Sequence, residues 1–133
     1  TKVFNTNSVD KIRLNGYATS EKLEIFPGYK TAMITLTREE LNRYHYRKGD
    51  SEGLVNVPLS IEGVVFSAFF REEKEYIKVS LRSKGNFPAN KVASEYFNGG
   101  GHMNAAGGEF YGTMEEIIER FKNLLPMYVQ YLQ

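Results

Sequence analysis

The chain contains no cysteine. That excludes disulfides, thiolate metal sites and a cysteine nucleophile together, and a reducing, cytoplasmic setting is the simplest expectation. Neither sign of charge is in excess: 17 Lys and Arg stand against 16 Asp and Glu, a formal net charge of +1. With no broad basic field to draw in long nucleic acid, any nucleic-acid ligand is expected to be short. No apolar run approaches the roughly 18 residues of a spanning helix and no signal peptide opens the chain, so a soluble protein with no membrane partner is expected. Methionine is missing from the first position, and a sequence that starts at Thr1 predicts a piece cut from a longer polypeptide.

What is present suffices for one core. A chain of 133 residues, 41% hydrophobic and 14% aromatic, predicts a single domain over 1–133. Ser8-Val9-Asp10-Lys11 offers a helix N-cap, with Gly16 weakening the helix behind it. Leu23 to Phe26 and Thr31 to Thr37 read as two strands about Pro27-Gly28. Thr37-Arg38-Glu39-Glu40 is a capping box that predicts a helix to about Tyr46. Asp50-Ser51-Glu52 predicts a further short helix with Leu54 and Val55, limited by Pro58. Gly63 to Arg71 alternates with apolar residues on both faces, the pattern of a central strand. Tyr76 to Ser83 returns with Ile77, Val79 and Leu81 inward and Lys78, Ser80 and Arg82 outward. Pro88 opens a helix that Asn98-Gly99 ends. Glu109-Phe110-Tyr111 reads as a short strand, and Thr113-Met114-Glu115-Glu116 caps a closing helix that Pro126 interrupts. This mixture of hairpins and helical crossovers predicts an α/β (α+β) fold, a mixed central sheet flanked by helices.

The segment Gly99-Gly100-Gly101-His102-Met103-Asn104-Ala105-Ala106-Gly107-Gly108 holds five glycines and one of the two histidines. Glycine backbone approaches a ligand closely, successive N–H groups make an anion-binding concavity, and an imidazole donates to phosphate oxygen. The segment reads as an oxyanion cradle in a loop, although glycines also serve as plain connectors. No Gly-Lys-Ser/Thr closes it and its spacing is not the dinucleotide fingerprint. Arg82 ends a strand whose loop leads to the helix near Pro88, and an arginine beside such a terminus makes a second anion site; the plain alternative is an exposed strand residue. His102 as a metal ligand would have only Glu109 near it, with His45 remote, so no metal site is expected. Asn104 fits a ligand hydrogen bond or a local cap equally. Phe87, Tyr96 and Phe97 offer stacking surfaces, yet their helical spacing fits core packing. Glu72-Glu73-Lys74-Glu75 reads as a solvated hairpin tip.

At Gly99 to His102, with Ala105-Ala106-Gly107-Gly108 after it and Arg82-Ser83 before it, the chain resembles the C-terminal DHHA1 domain of DHH-family phosphoesterases. Among them it is most similar to the branch of oligoribonucleases and 3'-phosphoadenosine 5'-phosphate phosphatases, the nanoRNase type, some labelled exopolyphosphatase-related. The resemblance implies a separate N-terminal DHH catalytic domain, adjoining residues 1–20, that binds two Mn²⁺ ions; this domain would carry no cofactor and no catalytic residue of its own. It implies that Arg82, Ser83, Gly99, Gly100, Gly101 and His102, with Asn104, bind short RNA or a nucleotide. The Asp-His-His triplet of the catalytic domain is absent here. A face lacking its natural neighbour would favour self-association, so a homodimer is expected of the isolated domain. Alternatives are a stand-alone nucleotide- or RNA-binding module, since a related domain ends alanyl-tRNA synthetases, and a domain of a cyclic-dinucleotide or pApA phosphodiesterase, with polyphosphate hydrolysis a weaker rival.

Overall fold

A computed structural model describes residues 8–132. Six strands form one mixed sheet: β1 (Glu24–Phe26), β2 (Thr31–Leu36), β3 (Phe66–Glu72), β4 (Ile77–Ser83), β5 (Gly100–His102) and β6 (Ala105–Phe110). Their spatial order is β1-β2-β3-β4-β6-β5, with β2 and β3 parallel and every other pair antiparallel. Four helices accompany them: α1 (Val9–Tyr17), α2 (Arg38–Arg43), α3 (Ala89–Tyr96) and α4 (Met114–Leu124). The α/β expectation holds, and β3 lies inside the sheet as its two apolar faces require.

Strand alternation sorts the side chains into two clusters. On one face Phe66, Phe70, Val79 and Leu81 meet Ala89 and Val92 of α3 and Ile117 and Phe121 of α4. Phe66 stacks on Phe87 at 4.2 Å between ring centres, and Phe121 meets Phe70 edge-on at 5.4 Å. On the other face Ile34, Leu36 and Phe69 pack with Leu14, Ala18, Leu41, Leu54 and Val55. That second layer consists of α1, a π-helical turn at Ala18–Lys22, α2 and a 3-10 segment at Leu54–Ser60. The buried Ser67 hydroxyl donates to the Val55 carbonyl at 2.7 Å and ties the 3-10 segment to the sheet. The second layer covers β2 and β3. Its 3-10 segment reaches onto β4, and the cover thins toward β6 and β5 on that side.

Both capping boxes form, Thr37 with Glu40 and Thr113 with Glu116, each reciprocally bonded. The α2 helix stops at Arg43 rather than near Tyr46, because His45 takes a left-handed φ of 53° that no helix accommodates. Past Leu124, Pro126 converts the chain to 3-10 geometry over Leu125–Tyr131. The larger correction concerns the glycine segment, which is not a loop. It is a hairpin, β5 and β6, turning on Met103-Asn104, and the short strand expected at Glu109 begins at Ala105. The physical reason is close approach: a Cβ on Gly99 would stand 1.9 Å from the Gly107 carbonyl oxygen, and one on Gly108 would stand 2.1 Å from that of Phe97. Bare backbone lets β5, β6 and the end of α3 nest together.

Two outcomes follow from this packing. Gly108→Ala should destabilise the domain by about 1–3 kcal/mol through overpacking, whereas Gly100→Ala, with nothing within 4 Å of the added carbon, should stay near wild type in urea unfolding. Equal midpoints for the two variants would contradict the close-approach reading.

Glu40 supplies the second. Burial raises its pKa, but the Lys22 ammonium at 2.6 Å, the Tyr17 hydroxyl and the Thr37 backbone N–H together hold it below the ordinary carboxyl value. A depressed folded pKa stabilises above the unfolded value and loses that stabilisation as pH falls through the folded one. The stability gap between wild type and Glu40→Gln should therefore be widest near neutrality and close below about pH 4. A gap that is constant with pH in urea titrations would contradict this.

Candidate functional site: a basic cleft on the bare half of the sheet

The thinly covered strands form the floor of a cleft of about 420 Å³. Its far wall is the turn Ser51-Glu52-Gly53 with Val55, held by the second layer. Register decides what reaches the floor. Arg71 lies opposite Lys78, Phe69 opposite Ser80, Ser80 opposite Gly107, and Gly107 opposite Gly100. Arg82 lies opposite Ala105, which lies opposite His102. Directly paired residues share a face, so Arg71, Lys78, Ser80, Arg82 and His102 all stand on the bare side. The two glycines and Ala105 between them leave space above the backbone.

The charges are fixed to different degrees. Arg71 is braced: its Nε donates to Glu73 at 2.7 Å, one Nη donates to the Ser51 hydroxyl at 3.0 Å, and the group lies 5.6 Å above the Tyr46 ring. Arg82 touches only carbonyls, that of Leu81 at 2.9 Å and that of Ala106 at 3.5 Å. Among the described residues neither Arg82 nor Lys78 has a carboxylate partner, the ion pairs being Lys22 with Glu40 and Arg71 with Glu73. Half-buried and unneutralised, a guanidinium with free N–H groups is suited to a phosphate oxygen. Glu52 is the one carboxylate in the lining, and Glu109 stands opposite Lys78 on β6, on the same face.

The residues singled out from the sequence separate into three roles. Arg82, Gly100 and Gly101 line the cleft. His102 stands exposed at its rim on β5, two strand spacings or about 10 Å of backbone from Arg82. The hairpin puts Arg82 and His102 on one face of the sheet, and His102 is not part of the cleft lining. Ser83, Asn104 and Gly99 serve the scaffold. Ser83 is buried on the opposite face from Arg82; its hydroxyl donates to the Phe87 carbonyl at 2.8 Å and accepts from Asn104 Nδ2 at 2.9 Å. Asn104 Nδ2 also reaches the Gly85 carbonyl at 3.2 Å. The Gly99 N–H closes α3 on the Ala93 carbonyl at 3.0 Å.

The anion site imagined from Arg82 and the start of α3 does not form. α3 packs on the opposite face of the sheet, and the Ala89 N–H at its start donates to the Met103 carbonyl at 2.7 Å. Phe87 and Phe97 are core residues, and the Tyr96 hydroxyl meets the Met127 sulfur. The acidic tip is partly employed, with Glu73 on Arg71 and Glu72 accepting the Arg38 N–H at 2.8 Å. His45 is exposed beyond α2. Among the described residues no three His, Asp or Glu side chains converge as a metal would need. Arg71 and Lys78 are the functional candidates that sequence reasoning passed over. Alternation already set Lys78 on the same face as Arg82; Arg71 joins Lys78 only through the β3–β4 register. A wider groove of 630 Å³ near α4 is lined by Glu115, Glu116 and Glu119 and disfavours an anion.

Several known proteins are similar to this chain in sequence or fold. The chain is 39% identical over 72 residues to the bifunctional oligoribonuclease and PAP phosphatase NrnA of Thermus thermophilus, covering 53% of this chain and 22% of that protein. It is 27% identical over 120 residues to a 3',5'-cyclic-nucleotide phosphodiesterase of Helicobacter pylori, covering 83% of this chain and 34% of that one. Among solved structures, an exopolyphosphatase-related protein from Bacteroides fragilis superposes with a TM-score of 0.92 at 54% identity, over 98% of this chain and 38% of that one. A pGpG-specific phosphodiesterase, PggH from Vibrio, shares the fold at 14% identity and a TM-score of 0.63, over 93% of this chain and 40% of that one. The chain thus spans well under half the length of each. No described helix is long and apolar enough to cross a membrane. The DHHA1 domain model matches residues 31–130, and the chain belongs to the DHHA1 family.

Proposed function

We propose that this domain is the substrate-binding half of a cytoplasmic, Mn²⁺-dependent phosphoesterase that hydrolyses short oligoribonucleotides and 3'-phosphoadenosine 5'-phosphate. The observation that carries the reading is the cleft itself: Arg82, whose guanidinium meets only carbonyls, with Lys78 and a braced Arg71 on the same face, over a floor of glycine and alanine. A phosphate bound there would be held by guanidinium and ammonium groups, and the sugar or base would lie over Gly100 and Gly107, where a larger side chain would intrude. His102 at the rim would donate to a second phosphate or to a base edge. The modest volume suits one or two nucleotides rather than a duplex, in keeping with the near-zero net charge.

Binding of this kind is one half of catalysis. Bond breaking is assigned to an N-terminal DHH domain of the same polypeptide, which the DHHA1 family match supports. There the metals would supply the activated water and stabilise the leaving oxygen. This domain would position the ester and neutralise its remaining charge. Two relatives named for oligoribonuclease and PAP phosphatase activity, 39% and 31% identical over 53% and 63% of this chain, support this substrate class.

The test is kinetic. In the full-length phosphoesterase, Arg82→Ala and His102→Ala should each lower kcat/KM on a diribonucleotide by about tenfold to a thousandfold. The 133-residue chain alone should show no Mn²⁺-dependent turnover. Unchanged kinetics in both variants, or robust turnover by the isolated chain, would overturn the division of labour.

A further inference from the structure

A second basic cleft shares a turn of the chain with the first: Asp50 lines it and Ser51 lines the other. Its volume is about 360 Å³ and its lining is Lys11 from α1 with Arg47, Lys48, Gly49 and Asp50 from the turn after α2. Three cations here face one carboxylate, and that carboxylate is already occupied: the buried Asp50 Oδ2 accepts the Arg47 backbone N–H at 2.9 Å. Among the described residues none of the three cations belongs to an ion pair. The net positive charge is left to solvent or to a ligand.

The arrangement is built rather than incidental. Asn15 Nδ2 donates both to the Lys11 carbonyl at 2.7 Å and to the Asp50 carbonyl at 2.8 Å, so one amide fastens the helix carrying Lys11 to the turn carrying Arg47 and Lys48. The turn is itself closed by Asp50 N–H on the Arg47 carbonyl at 2.9 Å and by Glu52 N–H on the Gly49 carbonyl at 3.0 Å. Gly49 takes a φ of 95°, which favours glycine at that bend. These bonds hold the two backbone segments in one relative position. The three flexible stems need only converge.

Position supplies the ligand. Asp50 lines this cleft and Ser51 lines the nucleotide cleft. Adjacent residues are about 3.8 Å apart, so the turn 49–53 is a shared wall between the two. A chain of phosphodiesters anchored at Arg82 and extending past Ser51 would meet Lys11, Arg47 and Lys48 next. Glu52 on the same wall repels a backbone running close to it, which favours a path over Gly49 and Gly53.

We infer that the cleft of Lys11, Arg47 and Lys48 is an extension subsite that binds the phosphodiester backbone of single-stranded oligoribonucleotides too long for the main cleft. The inference rests on the proposed nucleotide role of the main cleft. It assigns this domain a length-dependent component of affinity: a dinucleotide occupies the main cleft alone, and a hexanucleotide occupies both.

Fluorescence anisotropy of the 133-residue chain with labelled oligoadenylates of two and six residues tests it. The triple variant Lys11→Ala, Arg47→Ala, Lys48→Ala should weaken the hexamer by about tenfold or more at low salt and make its log–log salt slope shallower by about two, leaving the dimer unchanged. Lys11→Arg with Lys48→Arg, which keeps the charge, should bind both like wild type. Equal loss for dimer and hexamer, or no loss for either, overturns the inference. So does a charge-retaining variant that fails like the triple one, because the positions would then act through structure. Competition by inorganic phosphate, matched in phosphate groups, should be weak; displacement of the hexamer as effective as by unlabelled hexamer would mean a free-anion site and overturn the extension path. Arg82→Ala separates the two readings: it should weaken dimer and hexamer alike, and a dimer indifferent to Arg82 sinks the main-cleft reading whatever the triple variant does.

Discussion

One strand joins the stability of this domain to its chemistry. In β4, Ile77, Val79 and Leu81 are buried against α3 and α4, Ser83 is buried under the loop at Phe87, and Lys78, Ser80 and Arg82 project to the other side. Period-two alternation makes these two sets inseparable, because a slip of one residue would bury the cations and expose the core. The hydrophobic cluster beneath therefore fixes the register that sets Lys78 beside Arg71 and Arg82 beside the glycine hairpin. The cost of burying an unpaired charge enforces the same register from above.

The uneven second layer turns that strand into a site. Had the layer of α1, α2 and the 3-10 segment extended over β4 and β6, the cations would be covered. Its 3-10 segment, clasped to Ser67 through the Val55 carbonyl, reaches only part of β4, and the turn 51–53 becomes a wall instead of a roof. The glycine hairpin completes the floor. Its glycines first answer a packing demand, the near-contact of Gly99 with Gly107 and of Gly108 with Phe97. Low relief over the cleft is the functional by-product at Gly100 and Gly107. The same residues thus carry a structural and a binding role that sequence inspection cannot separate.

Much of the framework was legible locally. Capping boxes at Thr37 and Thr113 rest on hydrogen bonds spanning three residues, and the α4 stripe rests on helical period alone. The hairpin at Gly100–His102 was not legible as strand, since Gly and Ala have no apolar alternation to read. Arg82 and His102 share a face, whereas Ser83 spends its hydroxyl and Asn104 its amide N–H groups on the scaffold. Arg71 escaped notice because its relation to Lys78 is a matter of pairing between strands. The order of the sheet, with β6 inserted between β4 and β5, is likewise non-local information.

The central claim is that the bare basic half of the sheet holds a small phosphorylated nucleotide. The most direct measurement is a titration of the chain with adenosine 3',5'-bisphosphate followed by backbone amide shifts. The account predicts saturable shifts confined to Arg71, Lys78 to Arg82, Gly100 to His102 and the 51–53 turn, with α4 silent. Shifts centred on the acidic groove of Glu115 and Glu119, or none at all, would contradict it.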